Sequence, residues 1–514
     1  MKRFLCGILS VILLMLCLSG CAGQSSGAAQ PQQDLDPLSR FQNGTLGVID
    51  GSLYDGFSRE LFPNARIDSY PSFIDLFQCV KQGKIVGFLL DIPNFSAVQR
   101  TDENLQCIKI PGYSVEIGIA FGKNETGARL QQQMNTFLEK IRADGTYDVL
   151  WSKWCAETEP TETLIAPVFS QDAPELNIAL DLSRKPFVYM LNNAYAGFEI
   201  EMLYLFCQEY GYRPEFESAQ WTAGVAGLKE EKYDVVSCGI YMTEERKESV
   251  NFCDPYVIAD VIMVTYNREN FQGDFFPSLK ESFSKTFLRE DRWKLIASGI
   301  AVTVIISLFS TLGGTLFGFA LYMLARSKNK YFSRVVKAIA RGYARLIAGT
   351  PTLVILMILF YIVFGKSDLS GIFVAILGFT LTFGAFVYRQ LGLTVDSVDK
   401  GQTEAAYALG YSRNGTFFRI ILPQAMQTFL PTYIAEVVGL MKATAVVGYI
   451  AVNDLTKVGD IIRSNTYEAF FPLIAIAVIY FFITWGAAAL LELARRKSDF
   501  KNRKSKNILK GVVR

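Results

Sequence analysis

The sequence predicts a chain of two parts, an α/β domain followed by an all-α membrane domain with five helices. The chain of 514 residues is longer than one domain normally is. Apolar residues are unevenly distributed, and past the amino-terminal segment the runs of about 20 that can cross a bilayer occur only after residue 290. Before residue 290, strand-like and helix-like patterns alternate, which is typical of an α/β fold.

The amino-terminal 21 residues have a basic start, an apolar core and a small-residue end, which together predict a secretory signal. The tetrad Leu18-Ser19-Gly20-Cys21 resembles the bacterial lipobox, and this resemblance implies that Cys21 is lipidated. The alternative is an uncleaved signal anchor. In both cases the domain that follows lies outside the cytoplasm, after a small, polar linker at residues 22–38.

Composition excludes several kinds of site. The chain has no histidine and no CxxC pair, which argues against a metal site, a cofactor site of that kind and a His-based catalytic triad. A net charge of +2 without a basic, aromatic-rich patch gives no sign of nucleic-acid binding. We expect free thiols, with one disulfide possible, among the six cysteines beyond the signal: Cys79, Cys107, Cys155, Cys207, Cys238 and Cys253.

Hydropathy predicts the membrane domain over residues 291–496. Glu436 and Lys442 weaken one of its five expected spans, and they either face a pathway or partner helix or lie near the interface. The expected spans are residues 295–325, 346–365, 369–388, 428–452 and 469–491.

Basic residues predict the orientation of these spans. Seven lysines and arginines lie between residues 326 and 345, and the tail at 497–514 is also basic. Basic segments stay in the cytoplasm, so five crossings from an outside domain place residues 389–427 and the tail inside.

The segment "GQTEAAYALGY" at residues 401–411, followed by Leu422-Pro423, interrupts the apolar runs on the predicted cytoplasmic side. Its alanines permit close helix packing, Gly410 suits the positive φ that ends a helix, and Pro423 sets the direction of the next segment. Its spacing resembles the EAA loop of ABC-transporter permeases. The resemblance implies docking on a separate ATPase through Glu404, Ala405, Ala406, Gly410, Leu422 and Pro423.

Further residues resemble the polar amino-acid uptake branch of that family, namely Gly349-Thr350-Pro351 and the pair Lys442 and Thr444. The resemblance covers residues 293–496. It implies an importer subunit of the bacterial cytoplasmic membrane that works as a homodimer and is not itself an enzyme. No phosphate-binding glycine loop with the required spacing is present, so ATP must be hydrolysed by another chain.

The α/β part resembles the type II periplasmic amino-acid-binding proteins in two pieces. Residues 172–270 resemble the first lobe of that family, with Gly197-Phe198-Glu199 and Asp254-Pro255-Tyr256 in matching positions. Residues 39–165 resemble the second lobe, so the order is reversed. This order predicts one circularly permuted domain, which is feasible because domain termini often lie close together. The alternative is two remnants of a tandem pair.

This second resemblance implies a site for an amino acid. Arg246 would clamp the ligand carboxylate, because a guanidinium binds carboxylates bidentately, and Asp91 would accept the ammonium. Arg184 occupies a position where the family commonly has an aromatic residue, and this arginine would favour an acidic or polar ligand side chain. Additional donors would come from backbone groups near Gly239 and Tyr241 and from Ser52 in the other lobe, and Trp221 would line the side-chain pocket.

Two other functions use the same kind of binding domain. A ligand-gated channel would need a re-entrant selectivity loop and would have no use for an ATPase-docking loop. A sensor that has lost transport is the other alternative, and an intact docking loop argues against it.

Overall fold

The computed structural model describes residues 37–49, 52–70, 72–155, 163–219, 221–267, 275–365, 367, 369–468 and 470–498. The predicted signal, its Cys21, nearly all of the linker and most of the basic tail lie outside these residues. The described chain consists of an α/β part followed by a helical part.

One nine-stranded sheet forms the core of the α/β part. Its order is β2-β1-β3-β11-β4-β9-β5-β8, with β10 paired to β4, while β6 and β7 form a separate hairpin. The strands are β1 (Thr45–Ile49), β2 (Arg66–Tyr70), β3 (Gly87–Asp91), β4 (Leu105–Phe121), β5 (Glu175–Leu180), β6 (Tyr189–Leu191), β7 (Ala194–Ala196), β8 (Arg213–Ser218), β9 (Val235–Tyr241), β10 (Asn251–Phe252) and β11 (Val257–Tyr266).

The sheet has a parallel group at each end. The amino-terminal lobe contains β1, β2 and β3, and the second lobe contains β5, β8 and β9. Between them run β11 and the 17-residue β4, which are antiparallel to each other. Strand β4 pairs with β11 between residues 105 and 117 and with β9 between residues 117 and 121, so β4 joins the two lobes.

Both ends of the α/β part belong to the amino-terminal lobe. The chain enters this lobe through β1, where the Thr45 carbonyl oxygen accepts from the Val86 N–H at 2.8 Å. It leaves through β11, where the Thr265 hydroxyl donates to the Val86 carbonyl oxygen at 3.2 Å. Both ends of the α/β part therefore hydrogen-bond to Val86, the residue that precedes β3.

Helices cover both faces of this sheet. They are α1 (Leu53–Leu61), α2 (Phe73–Gln82), α3 (Ile92–Gln99), α4 (Glu125–Ala143), α5 (Thr146–Cys155), α6 (Phe198–Tyr210), α7 (Trp221–Lys229) and α8 (Glu244–Ser249). Helix α5 precedes the second lobe in the chain but packs on its helix α6. There the fully buried Trp154 donates from Nε1 to Glu201 at 2.5 Å. Residues 39–155 are thus shared between both lobes.

The six expected thiols are free in the structure. Cys207, Cys238 and Cys253 are buried, Cys79 and Cys155 are half-buried, and Cys107 is exposed.

The helical part begins at residue 275. Its helices are α9 (Phe275–Phe283), α10 (Arg292–Ala325), α11 (Lys330–Gly349), α12 (Thr352–Met357), α13 (Gly371–Asp396), α14 (Lys400–Ala408), α15 (Arg413–Thr416), α16 (Leu422–Ala443), α17 (Leu455–Thr466) and α18 (Phe471–Ser498). Among the described residues, four segments are long and apolar enough to cross a membrane, and they contain α10, α13, α16 and α18. A bent pair raises the number to five if it is counted as one span.

The prediction of a continuous span over residues 346–365 is wrong. Helix α11 ends at Gly349, and the chain turns by 108° before the helix that runs from Thr352 to Val363. The turn falls at Pro351, which lacks an N–H, and at Thr350, which is extended (φ −112°, ψ 129°) as residues before proline usually are. Residues 346–349 instead complete an amphipathic, basic helix.

Close contact between α10 and α13 holds the membrane helices together. A Cβ on Gly318 would lie 2.5 Å from the Gly384 carbonyl oxygen, and one on Gly314 would lie 2.8 Å from the Cβ of Phe383. Glycine at these positions therefore lets the two backbones approach each other closely.

Candidate functional site

Asp91 lies at the end of β3 and caps helix α3. Its side chain is fully buried. One carboxylate oxygen accepts from the Asn94 backbone N–H at 3.0 Å, and the Asn94 amide reaches both oxygens at 2.9 and 2.8 Å. The proposed ammonium acceptor is thus rigidly held within the amino-terminal lobe.

Tyrosines from both lobes also donate to Asp91. The hydroxyl of Tyr241, at the end of β9, lies 2.5 Å from Oδ2, and that of Tyr54 lies 3.3 Å from it. The two rings meet edge to face, with centroids 5.4 Å apart. Burial and the Asp91 charge raise the pKa of Tyr241 above its usual range, so this hydroxyl stays protonated and donates. The lobes are therefore in direct contact at Asp91.

Arg184 faces this contact from the loop after β5. Its guanidinium lies 4.7 Å from the ring centroid of Phe73 and 5.4 Å from that of Tyr241. Nη1 is buried and has no hydrogen-bond partner within the described part of the chain. Burial alone would lower the pKa of Arg184, but Tyr241 and nearby acidic groups raise it overall. Arg184 is a buried cation with an unused donor.

Arg246, on helix α8, lies beside Tyr241 in the second lobe. Its Nη1 donates to the Tyr241 carbonyl oxygen at 2.9 Å, and its guanidinium lies 5.0 Å from the ring centroid of Trp221. Burial lowers the pKa of Arg246, and the positive charge of Arg184 lowers it further. The two arginines are thus electrostatic neighbours, and a bound anion would relieve their repulsion.

Ser52 and Gly239 differ in what they offer a ligand. Ser52 precedes helix α1, and its hydroxyl is buried without a partner among the described residues, so it remains a usable donor. The Gly239 N–H already donates to Glu199 at 2.9 Å. Glycine is required there, because φ is 59° and a Cβ would lie 2.7 Å from the Phe187 ring.

Several residues of this site carry no role in the sequence-based prediction. Tyr54 and Phe73 come from helices α1 and α2, and no motif distinguishes them from other aromatic residues of an amphipathic helix. Glu199 lies within the motif Gly197-Phe198-Glu199, and it accepts from Ser237, Gly239 and Tyr256. Burial raises the pKa of Glu199, although these donors act in the opposite direction. Through its hydrogen bonds with Ser237 and Gly239, Glu199 stabilises β9.

The predicted docking loop lies at the other end of the molecule. Helix α10, which runs between the two, is about 51 Å long at 1.5 Å per residue over 34 residues. In α14, Glu404 and Ala405 are exposed and Ala406 is buried. Gly410 has a φ of 81°, so the predicted positive φ is confirmed. The prediction that Pro423 starts a new segment is wrong, because the chain is helical from Arg413 through Pro423 to Ile450.

Apolar side chains are exposed around this loop. Tyr407 is 49% exposed, Leu409 78% and Phe418 44%. Leu422 is half-buried beneath them. Exposed apolar groups clustered beside small residues are typical of a surface that meets a protein partner.

Helix α17, which lies between two spans and has no counterpart in the sequence-based prediction, contacts both lobes of the α/β part. Arg463 Nη2 lies 3.1 Å from the Asp75 carboxylate of the amino-terminal lobe. The Asn465 amide donates to the Met190 carbonyl oxygen of the second lobe at 2.9 Å. One helix of the membrane part therefore touches both sides of the interlobe site.

Known proteins resemble the helical part. Residues 314–498 match the family model described as "Binding-protein-dependent transport system inner membrane component". The "Putative glutamine transport system permease protein GlnP" of Rickettsia felis is 30% identical over 206 residues, which are 39% of this chain and 92% of that protein. The nopaline transport system permease protein NocM of Agrobacterium fabrum is 31% identical over 215 residues, 39% of this chain and 86% of NocM.

A solved structure also resembles this part. An amino acid ABC transporter crystallised with histidines is 29% identical, with a TM-score of 0.37, over 44% of this chain and 100% of that chain. The matches with the two permeases thus cover 92% and 86% of those proteins but 39% of this chain. The chain therefore belongs to the family of ABC-transporter permeases, in the polar amino-acid branch.

Proposed function

We propose that this chain is the permease subunit of an amino-acid importer that carries its own binding domain, and that a separate ATPase drives it. The observation that carries the proposal is the docking loop, where Glu404 and Ala405 are exposed beside Leu409, at the opposite end of α10 from the α/β part. A permease that must engage both an outside ligand and an inside ATPase needs these two surfaces far apart.

The interlobe site supports an amino acid as the cargo. A zwitterion presents a carboxylate and an ammonium, and the site offers Arg246 for the first and Asp91 for the second. The ammonium would replace the Tyr241 hydroxyl at Asp91. Ser52 offers a further buried donor to the carboxylate.

Arg184 supports an acidic or polar ligand side chain. Its Nη1 is buried and unused, and leaving such a donor unpaired costs about 1–3 kcal/mol, so a ligand that accepts from it is favoured. A second cation beside Arg246 is better tolerated when the ligand brings a second negative charge.

The single sheet supports one permuted receptor rather than two remnants, because strands from both pieces of sequence build it. Contacts of Arg463 and Asn465 with the two lobes support direct delivery to the permease.

In this proposal, two chains form a homodimer with two ATPases in the bacterial cytoplasmic membrane, with the α/β part outside and anchored through Cys21. Fusion keeps the receptor at a high local concentration beside the pore.

The first test measures binding of each radiolabelled amino acid to the full chain in nanodiscs. We expect saturable binding to one or a few amino acids, lost in Arg246→Ala and in Asp91→Asn. The matched control is Arg213→Ala, because Arg213 pairs with Glu175 and Glu215 at the sheet edge, away from the site. Binding that survives both site variants would contradict the assignment.

Arg184→Ala tests the ligand side chain in the same assay. We expect the preference for acidic over neutral amino acids to fall about tenfold, the loss of one charge-assisted hydrogen bond. An unchanged order of preference would remove the role given to Arg184.

The second test measures ATP hydrolysis after co-expression with an amino-acid-type ABC ATPase. We expect Glu404→Lys to reduce ligand-stimulated hydrolysis while ligand binding is retained. Lys330→Glu, on the exposed face of α11, is the control for a charge reversal elsewhere. Equal stimulation in wild type and Glu404→Lys would contradict the docking role. Stimulated hydrolysis without uptake into proteoliposomes would favour the sensor.

A further inference from the structure

A small cavity lies behind the docking helix α14, between the ends of α10 and α13. It has a volume of about 220 Å³, and its charged lining residues are Arg326, Lys400, Arg413 and Asp396. Sites for drug-sized ligands are larger, at about 300–1,000 Å³. The cavity therefore suits a compact group rather than a whole nucleotide or peptide.

The charge in this cavity is unbalanced. Three cations face one carboxylate, and the structure shows no ion pair between Asp396 and any of them within the described part of the chain. The Arg326 guanidinium lies 3.6 Å from the ring centroid of Phe417, which holds it in place without using its N–H donors. A guanidinium that is held in place and keeps its donors unused, as Arg326 does, is suited to bind phosphate, and the exposed Arg413 lies beside it.

A neutral donor in the cavity is also unused. Thr416 is only 2% exposed, and its hydroxyl has no hydrogen-bond partner among the residues that the structure describes. A buried hydroxyl without a partner costs about 1–3 kcal/mol, and an oxygen-rich ligand in this cavity would remove that cost. This observation is independent of the three cations, and it indicates the same kind of ligand.

We propose that this cavity binds a phosphate group, either of an anionic phospholipid or as free phosphate. Arg326 directly follows the first span, so the cavity lies where lipid headgroups meet the protein. The bound group would bridge the end of α10, through Arg326, to the segment after the docking helix, through Arg413. It would thereby set the position of α14 against the membrane domain.

The test uses the full chain in nanodiscs and measures its Tm. Inorganic phosphate is added at fixed ionic strength to nanodiscs of phosphatidylcholine alone, and a second set of nanodiscs contains phosphatidylglycerol without added phosphate. A ligand that binds the folded state raises Tm by mass action. A rise with phosphate assigns a free anion, and a rise with phosphatidylglycerol alone assigns a lipid headgroup.

Three variants test whether the rise in Tm comes from a ligand bound in this cavity. Arg413→Gln should weaken phosphate binding about tenfold, from the loss of a charge-assisted hydrogen bond. Arg419→Gln removes the same charge from an exposed neighbour outside the cavity and should leave the Tm rise unchanged. Thr416→Val should keep or raise the Tm without ligand, because it removes an unpartnered hydroxyl, and yet reduce the ligand-induced rise.

Two results would overturn the proposal. One is that neither phosphate nor phosphatidylglycerol raises the Tm. If Arg413→Gln then impairs ATPase binding, the cavity binds a carboxylate of the ATPase instead. The other is an equal loss of the Tm rise in Arg413→Gln and Arg419→Gln, since that reports surface charge alone. Neither result depends on whether the chain transports an amino acid.

Discussion

Tyr241→Phe should tighten binding of the amino acid rather than weaken it. The phenylalanine ring keeps the edge-to-face contact with Tyr54 and the contact with Arg184. Only the hydroxyl that donates to Asp91 at 2.5 Å is lost. Because the ligand ammonium must displace this hydroxyl, the variant removes a competitor that belongs to the protein itself.

The size of the effect follows from the other partners of Asp91. A hydrogen bond to a charged group contributes about 1.5–3 kcal/mol. In the variant Asp91 still accepts from Asn94 and Tyr54, so the carboxylate is not left unpaired and the lower end of this range applies. A change of about 1.4 kcal/mol is a factor of ten, so the Kd should fall about tenfold.

The assay is equilibrium binding of the preferred amino acid to the full chain. Tyr233→Phe is a matched control, because the Tyr233 hydroxyl donates to Glu217 at 2.6 Å within the second lobe, away from Asp91. The control should alter Tm but not Kd. A Kd that rises in Tyr241→Phe would refute the reasoning, because the hydroxyl would then be part of the ligand-bound state.

Three further predictions concern other parts of the chain. Arg463→Ala and Asp75→Ala should each reduce ligand-stimulated ATP hydrolysis. A double-mutant cycle on the free energy of unfolding should give a coupling energy of about 1 kcal/mol for this half-buried pair. Gly318→Val should lower Tm, because its Cβ meets a backbone carbonyl of α13, and Gly342→Ala, with open space around it, should not. Gly410→Ala should leave ligand binding unchanged and reduce ATPase stimulation, since a φ of 81° costs an L-residue about 1–2 kcal/mol.

Each of these predictions has a contradictory result. Additive effects of the two single variants would mean that Arg463 and Asp75 act separately. A Tm for Gly318→Val equal to that of wild type would mean that α10 and α13 separate without loss. Full ATPase stimulation in Gly410→Ala would mean that the end of α14 does not need its left-handed residue.

Local backbone chemistry made part of the structure predictable. Gly410 has a positive φ that few residues other than glycine adopt, so its position determines where α14 ends, whereas Pro423 lies inside a continuous helix and marks no boundary. Asp91, Arg184 and Arg246 were assigned to one site by the resemblance to amino-acid-binding proteins, and the structure places both arginines beside Tyr241, whose hydroxyl donates to Asp91. The helix end at Gly410 and the motifs of the binding site are each visible in a few residues of the sequence.

Features that depend on side-chain reach or on tertiary packing were not predictable. The aromatic ring of Tyr241 extends its hydroxyl to the opposite lobe, where a backbone role was expected. Helix α17 is too short for a span and too polar for a hydropathy signal, since its Arg463 and Asn465 serve contacts made only in the folded chain. The turn at Pro351 was within reach, because a proline inside an apolar run indicates a break.

The two ends of the α/β part leave from the same lobe, and this has a kinetic consequence. The second lobe is joined to the amino-terminal lobe through β4 and β11 and also contacts α17, so in the proposed importer its movement would be felt directly by the membrane part. In the proposed importer, the receptor would not have to find its permease by diffusion. Its turnover is first order in the number of chains, and surplus receptor cannot be supplied independently of the pore.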